Sequence, residues 1–405
     1  MEPERMYWEE RYRQVTRPVI GPAITGYNVN LDRVITVGRD LLESPELGSG
    51  MLGGLKERLV SSMERCTAAE WIVDDPDLFR RISDFFAGSG SCSLGGQAGI
   101  AARHLTGLGA PRVFCAAPGM GVTATGMLRE HDVTVVNSAG GPDCTHIILE
   151  YAVGLVPTPD DVIPRSNRFI ISPQKTGLNT ILSHDLLALV LQKVPLCTRA
   201  FLSGFQYLSG NEEFRDAVSQ IRAMKDANRD LKVHIECVSV TDPAVNAGIL
   251  HHILPAADSV GLNENELSLL LGRPCGSDPV MLVHHMEELG RLTGLSRIHL
   301  HTFGYYLLLL KNQGADPRGS QESLVFTAQV AAGAAEGTGT AVPAVGLSAV
   351  KMISGQFGPG PAPGIFVTGD YHLLVVPTLI AEGVSRTVGL GDIISSTGFV
   401  TDPFE

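Results

Sequence analysis

The chain has 405 residues, 44% hydrophobic and 18% charged, which excludes an intrinsically disordered polymer and suffices for a large core plus a smaller body. A formal net charge of −12 argues against a general nucleic-acid binder, though not against a local basic pocket for a phosphorylated ligand. No apolar run approaches the length of a membrane span, and "MEPERMYWEERYRQ" lacks the apolar centre of a signal peptide, so a cytoplasmic protein is expected.

In chain order, "AITGYNVNLDRVITV" reads as one strand. Residues 27–95 carry a long helical stretch that runs up to a Gly-Gly pair. "GGQAGIAARHLTGLG" reads as a helix closed by glycine, and "PRVFCAA" as the next strand. Residues 143–172 read as a hairpin, "CTHIILEY" and "SNRFIIS", around the loop "AVGLVPTPDDVIPR". Then "AFLSGF", "KVHIECVSV", "ADSVGL", "RIHLHTF" and "YHLLVVP" are short apolar runs separated by helical patterns such as "EEFRDAVSQIRAMKDAN". Strand-helix alternation predicts an α/β body with a mostly parallel sheet, and the two interruptions suit a small lid over one end of it. No repeat at solenoid or propeller periods is visible. Cys66, Cys92, Cys115, Cys144, Cys197, Cys237 and Cys275 are scattered singly without a C-x-x-C pair, which reads as reduced thiols.

Ligands of open α/β sheets gather at the carboxyl ends of the strands, so polar residues there carry the functional reading. Gly389-Leu390-Gly391-Asp392 follows a strand and opens a helix: two glycines let backbone N–H groups turn toward an anion, and a carboxylate at that spot can take a proton from a hydroxyl. The plain alternative is a glycine turn with an Asp N-cap. His234-Ile235-Glu236 sits inside an apolar strand, where Glu236 needs either a hydrated magnesium ion or a basic neighbour. Asn263 to Glu266 makes a good capping box, yet Glu266 can also face a metal's water shell. Asn30 and Asp32 share one strand face and suit sugar hydroxyls, or a turn. Gly96 and Gln97 offer amides at a helix start, or simply close packing. Glu70 in "TAAEW" alone reads as a surface glutamate. "PGMG" at 118–121 fails the dinucleotide fingerprint, and no G-x-x-x-x-G-K-[ST] phosphate loop is present.

Taken in order, these motifs resemble the ADP-dependent sugar kinases, the archaeal-type glucokinases and phosphofructokinases of the ribokinase-like superfamily. That family carries N-x-D, G-G-[NQ]-A, H-x-E, N/D-x-x-E and a terminal T-V-G-L-G-D. Here the matches are Asn30 with Asp32, Gly95 to Ala98, His234 to Glu236, Asn263 to Glu266 and Thr387 to Asp392, across about 23–399. The resemblance implies a large ribokinase-like domain (1–26, 96–142 and 173–405) under a β-rich lid (27–95 and 143–172). It implies transfer of the terminal phosphoryl group of ADP to a sugar hydroxyl, releasing AMP, as in glycolysis. Asp392 would be the base. Thr387, Gly389, Leu390 and Gly391 would hold the nucleotide's phosphate. Glu236, Glu266 and Asp392 would hold Mg2+ or another divalent cation, mostly through water. Asn30, Asp32, Glu70, Gly96 and Gln97 would orient the sugar, and residues near "HLHTF" and "VVPTLIA" would neighbour the adenine.

The same resemblance leans toward glucose. Glucose-preferring relatives carry a glutamate at the position of Glu70, and a carboxylate there would repel a 6-phosphate. Cys144 and Gln174 fall where phosphofructokinases place a Lys and an Arg, and each lost charge-assisted contact is worth roughly 1.5–3 kcal/mol. Arg165, Arg168 and Lys175 lie close enough in sequence to compensate. Fructose 6-phosphate or dual use, a ribokinase-like kinase of another acceptor such as a nucleoside, perhaps with ATP, and a non-catalytic sugar- or nucleotide-binding regulator stay open alternatives. The lid loop is poor in the family's usual polar positions, "VFTAQVAAGAAEGTGTAV" is rich in small residues, and the chain ends soon after Asp392.

Overall fold

The computed structural model describes residues 3–65, 69–137, 141–156, 162–164, 166–173, 182–335, 338–382 and 389–404. Its strands are β1 (Ala23–Gly26), β2 (Asn30–Thr36), β3 (Ala69–Val73), β4 (Ser91–Gly95), β5 (Val113–Ala116), β6 (Thr134–Val136), β7 (Thr145–Tyr151), β8 (Asn167–Pro173), β9 (Arg199–Leu202), β10 (Lys232–Glu236), β11 (Ser259–Leu262), β12 (Arg297–His301), β13 (Tyr305–Lys311), β14 (Thr338–Ala341), β15 (Ile365–Thr368), β16 (Tyr371–Pro377) and β17 (Ile380–Glu382).

A ten-stranded sheet runs β15-β16-β13-β12-β11-β10-β9-β1-β5-β6. Every pairing from β6 through β12 is parallel, and β13, β16 and β15 add antiparallel strands at one edge. The central strands are apolar on both faces, as a sheet covered by helices on both sides requires. One face packs a core through Ile24, Val233, Ile235, Val260 and Ile298, and the other through Ala23, Ala101, Leu105, Val113 and Phe399. The chain leaves β1 in opposite directions, toward β5 on one side and β9 on the other, and so makes a switch point whose strand carboxyl ends frame a crevice.

Above that crevice stands a five-stranded sheet, β3-β8-β7-β2-β4, mixed in direction. Helices Leu55–Glu64 and Pro76–Phe85 cover it and share a separate apolar cluster with Ile35, Ile147, Leu149 and Ile171. The second of these helices opens on Asp75, whose side chain accepts from the N–H of Asp77, with proline in its first turn.

Two expectations change. "AITGYNVNLDRVITV" is not one strand: β1 ends at Gly26 in the large sheet and β2 begins at Asn30 in the small one. An unbroken apolar alternation conceals the crossing, because both pieces bury the same residue types. The helical stretch before Gly95 is broken by β3 and ends in β4, since Trp71, Ile72 and Val73 are better suited to a pleated surface. The hairpin forms as read, with Ile147 opposite Ile171 in antiparallel register. The small-residue segment is helical only through Ala334, and Thr338–Ala341 pairs with β17. Among the described residues, no helix is long and apolar enough to cross a membrane.

Candidate active site

The chain leaves the large sheet after β1 and carries Asn28 in the link and Asn30 and Asp32 on β2, and all three are buried. Asn30 donates from Nδ2 to Asp32 Oδ1 at 2.6 Å, which the i, i+2 spacing of a strand allows. β4 runs antiparallel beside it, with Asn30 opposite Gly95 and Asp32 opposite Ser93. Gly96 then adopts φ 74°, and a Cβ there would lie 2.5 Å from the Asn28 carbonyl oxygen. Glycine lets the next helix, Gln97–Gly107, start against the sheet: Ala98 N–H donates to the Asn28 carbonyl at 3.1 Å, and Asn28 Nδ2 to Gln97 Oε1 at 2.7 Å. On the other side of β2, buried His146 stands in register with Asp32. The result is a rigid row of amide, carboxylate and imidazole groups at the foot of the small sheet.

The helix Leu390–Val400 packs on β10, β11 and β12. Its N-cap, Gly389, has φ 74°, a left-handed conformation that suits glycine, and Leu390, Gly391 and Asp392 form the first turn with their N–H groups unused by the helix. Asp392 is half-buried. Burial pushes its carboxyl up to about 7; the guanidinium of Arg168 on β8 opposes this, and the carboxylate of Asp32 adds to it. Asp392 therefore stands within electrostatic reach of both the row on β2 and a cation from the hairpin. Thr387 lies outside the described residues.

Two further carboxylates reach the same place from the ends of β10 and β11. Glu236 is buried, and its carboxyl is held well above the usual range by burial and then by Asp392, against a hydrogen bond from Ser395. Glu266 is also buried. It closes the capping box with Asn263, accepting from the Asn263 N–H at 2.8 Å, so the structural reading of that motif holds. Burial pushes its carboxyl up to about 8, the Asn263 backbone hydrogen bond opposes this, and Asp392 adds. Burial raises all three carboxyls, and Asp392 adds to the rise of the other two, so little positive charge offsets the set. Among the described residues, no three His, Cys, Asp or Glu side chains stand close enough to ligate one ion directly.

Glu70 is exposed on β3 and accepts from Ser172 Oγ at 2.5 Å. Half-buried Tyr207, just past β9, has its phenol pushed up by burial and further by Glu70, Cys144 and Asp32. Tyr207 thus marks the point where the small sheet's acidic residues meet the large sheet. Gln174, Arg165 and Lys175 lie outside the described residues.

A family model described as the ADP-specific phosphofructokinase/glucokinase conserved region matches residues 22–401. The chain belongs to the ADP-specific phosphofructokinase/glucokinase family. Its relatives include an ADP-dependent glucose/glucosamine kinase of Pyrococcus abyssi, 28% identical over 98% of this chain and 99% of that protein. An ADP-specific phosphofructokinase of Pyrococcus furiosus is 29% identical over 76% of this chain and 77% of that protein. Among solved structures, an ADP-dependent kinase in complex with fructose-6-phosphate and ADPbetaS superposes with a TM-score of 0.83 at 22% identity, covering 99% of this chain and 98% of that one, which shows a shared fold.

Of the motif residues read from the sequence, Asp32, Glu236, Glu266 and Asp392 come within electrostatic reach, Asn30 stands beside Asp32 and Gln97 beside Asn28, and Thr387 lies outside the described residues. Asp392 is coupled to Asp32, Glu236 and Glu266 although these lie on four separate elements. Sequence reasoning missed Asn28, His146, Tyr207 and Ser395 at this crevice. Asn28 was within sight as the first Asn of "NVN"; His146 and Tyr207 belong to no local pattern, and only strand register and the β9 turn bring them in.

Proposed function

We propose that this chain transfers the terminal phosphoryl group of ADP to a hydroxyl of glucose, releasing AMP and glucose 6-phosphate. The observation that carries the reading is the position of Asp392, at the first turn of a helix opened by Gly389 and Gly391, coupled both to Asp32 and to Arg168. A base must touch the acceptor oxygen while neighbouring N–H groups receive the phosphoryl group, and phosphoryl transfer needs this positioning more than covalent help.

In this reading Asn30, Asp32, Gly96 and Gln97 bind the sugar, joined by Glu70. Asp392 takes the proton of the attacking hydroxyl at its carboxylate. The N–H groups of Gly389, Leu390 and Gly391 receive the phosphate from the helix side, Thr387 adds a hydroxyl to the same nucleotide site, and Arg168 balances charge from the small sheet. Glu236, Glu266 and Asp392 would hold Mg2+ or another divalent cation through its waters, and their mutual repulsion supports the fit. Bound there, the cation would neutralise charge on the diphosphate. The turn His301 to Gly304, with Phe303 75% exposed, and the segment after β16 are the proposed adenine neighbours.

A separate apolar cluster under the small sheet supports a lid of 27–95 and 143–172 over a body of 1–26, 96–142 and 173–405, with the sugar between them, while Tyr27, Leu31 and Leu94 at the lid's base pack into the body. Closure of such a lid would keep water from taking the phosphoryl group. Glucose is preferred over fructose 6-phosphate because Glu70, Cys144 and Asp32 surround Tyr207 with negative or neutral groups. The Pyrococcus furiosus phosphofructokinase relative makes fructose 6-phosphate the alternative acceptor.

Purified protein with ADP, Mg2+ and either glucose or fructose 6-phosphate tests this by chromatography of the products. AMP and glucose 6-phosphate are expected. Exclusive use of fructose 6-phosphate overturns the acceptor, and use of ATP with release of ADP overturns the donor.

A further inference from the structure

Behind Glu236 a row of polar side chains crosses the sheet. His234, Ser259 and Arg297 sit directly beside one another on β10, β11 and β12, in parallel register, and each is fully buried. Arg297 donates from Nε to Asp402 Oδ2 at 2.7 Å, from one terminal nitrogen to the Gly398 carbonyl at 2.7 Å and from the other to Ser259 Oγ at 3.2 Å. Ser259 Oγ also lies 2.8 Å from His234 Nδ1. His234 Nε2 lies 3.1 Å from Ser395 Oγ and 3.3 Å from Glu236 Oε2.

The direction of these bonds follows from which groups can donate. A guanidinium has N–H donors and no acceptor, so Ser259 Oγ must accept from Arg297. Among the described residues the hydroxyl has one other partner, His234 Nδ1, so its proton goes there. Nδ1 is then an acceptor, and the single proton of the neutral imidazole is on Nε2. That N–H faces Ser395 and Glu236, and the Ser395 hydroxyl is itself hydrogen-bonded to Glu236. With Glu236 ionised, the form a bound cation favours, each bond in the series points its proton toward the Glu236 carboxylate. Gly261 keeps the space open, since a Cβ there would lie 1.9 Å from Ser395 Oγ and 2.4 Å from Glu236 Oε2.

We propose that Arg297, anchored by Asp402, is a positioning residue: through Ser259 it fixes His234 as the Nε2–H tautomer, and so aims Glu236 at the cation site. This rests on the proposed function for the role of Glu236, but not for the tautomer. Arg297 also acts directly, as a nearby positive charge that favours the ionised Glu236 carboxyl, so the part of its role carried by the relay is the one that Ser259 transmits. The structural cost of burying an Arg and an Asp is large, and a hydrogen-bond direction imposed on a distant carboxylate gives that burial a use.

The test is 15N-histidine-labelled protein studied by long-range 1H–15N correlation, with His234 assigned from the spectrum of His234→Asn. Wild type with Mg2+ and ADP bound is expected to show the proton on Nε2. Ser259→Ala keeps the Arg297–Asp402 pair and removes only the link. It is expected to give a population protonated on Nδ1 and to raise the half-saturating Mg2+ concentration about tenfold, with the sugar KM within twofold. Arg297→Met should do the same where it folds; Ser259→Ala decides alone where it does not. A wild-type proton on Nδ1, an unchanged tautomer in Ser259→Ala, or an unchanged Mg2+ requirement overturns the proposal. A protein without ADP-dependent kinase activity would refute the functional reading, whereas the tautomer is measured without turnover.

Discussion

A Cβ added to Gly95 would lie 2.3 Å from both the carboxylate carbon and Oδ1 of Asp32. No neighbouring atom is that close in a packed protein, so Gly95→Ala must push the carboxylate out of its hydrogen bond with Asn30. The strand itself can accept alanine, because Gly95 is not in a left-handed conformation. We expect the sugar KM to rise tenfold or more while ADP affinity changes little, read by calorimetric titration of each ligand. Equal loss of both affinities would mean that the variant disturbs the fold instead of the sugar row.

Asp392 is held near 7, so a base at this position is half protonated in neutral solution. We expect kcat/KM to rise with pH across a midpoint near 7, and that limb to vanish in Asp392→Asn. Removing a general base typically costs 10²–10⁴-fold, about that loss is expected in kcat, and ADP binding should be kept. Turnover retained in Asp392→Asn would remove the base from this position.

The raised carboxyls of Asp392 and Glu266 also fix how stability depends on pH. Each binds its proton more tightly in the folded state than in the unfolded chain, so the folded state takes up more protons. Their contribution is fully present below the ordinary carboxylate range and is lost as pH rises to about 7 for Asp392 and about 8 for Glu266. Metal-free protein should therefore melt at a lower temperature at pH 8 than at pH 6. Mg2+ should narrow that difference, because a nearby cation favours the charged carboxylates. Differential scanning calorimetry at the two pH values, with and without Mg2+, reads both effects.

The sequence made the strand ends and their acidic motifs visible because each motif is local: a glycine turn, an i, i+2 pair, a capping box. Asp392, Glu236, Glu266, Asn30 and Asp32 were all found this way. What stayed hidden depends on register between strands far apart in the chain. His146 faces Asp32 because β7 pairs with β2, and Arg297 looks like an ordinary basic residue opening a strand. Its partner, Asp402, lies 105 residues later, too far along the chain for a local motif to pair them, and both are buried. The crossing from β1 to β2 was hidden for the opposite reason: its apolar residues continue without a break through a change of sheet.

Acceptor choice should turn on Glu70. Its carboxylate is exposed, tethered by Ser172 and placed where it adds to the negative surroundings of Tyr207 and Asp32. A sugar hydroxyl can donate to it, whereas a 6-phosphate would meet like charge. Glu70→Ala is expected to raise the glucose KM about tenfold, the worth of one charge-assisted hydrogen bond. Combined with Cys144→Lys, which supplies a cation next to Tyr207, it should move the ratio of kcat/KM toward fructose 6-phosphate by a further factor of about ten. Steady-state assays of wild type and both variants on the two sugars give the ratio directly. A ratio that does not move in the double variant would place the 6-position of the sugar elsewhere in the crevice.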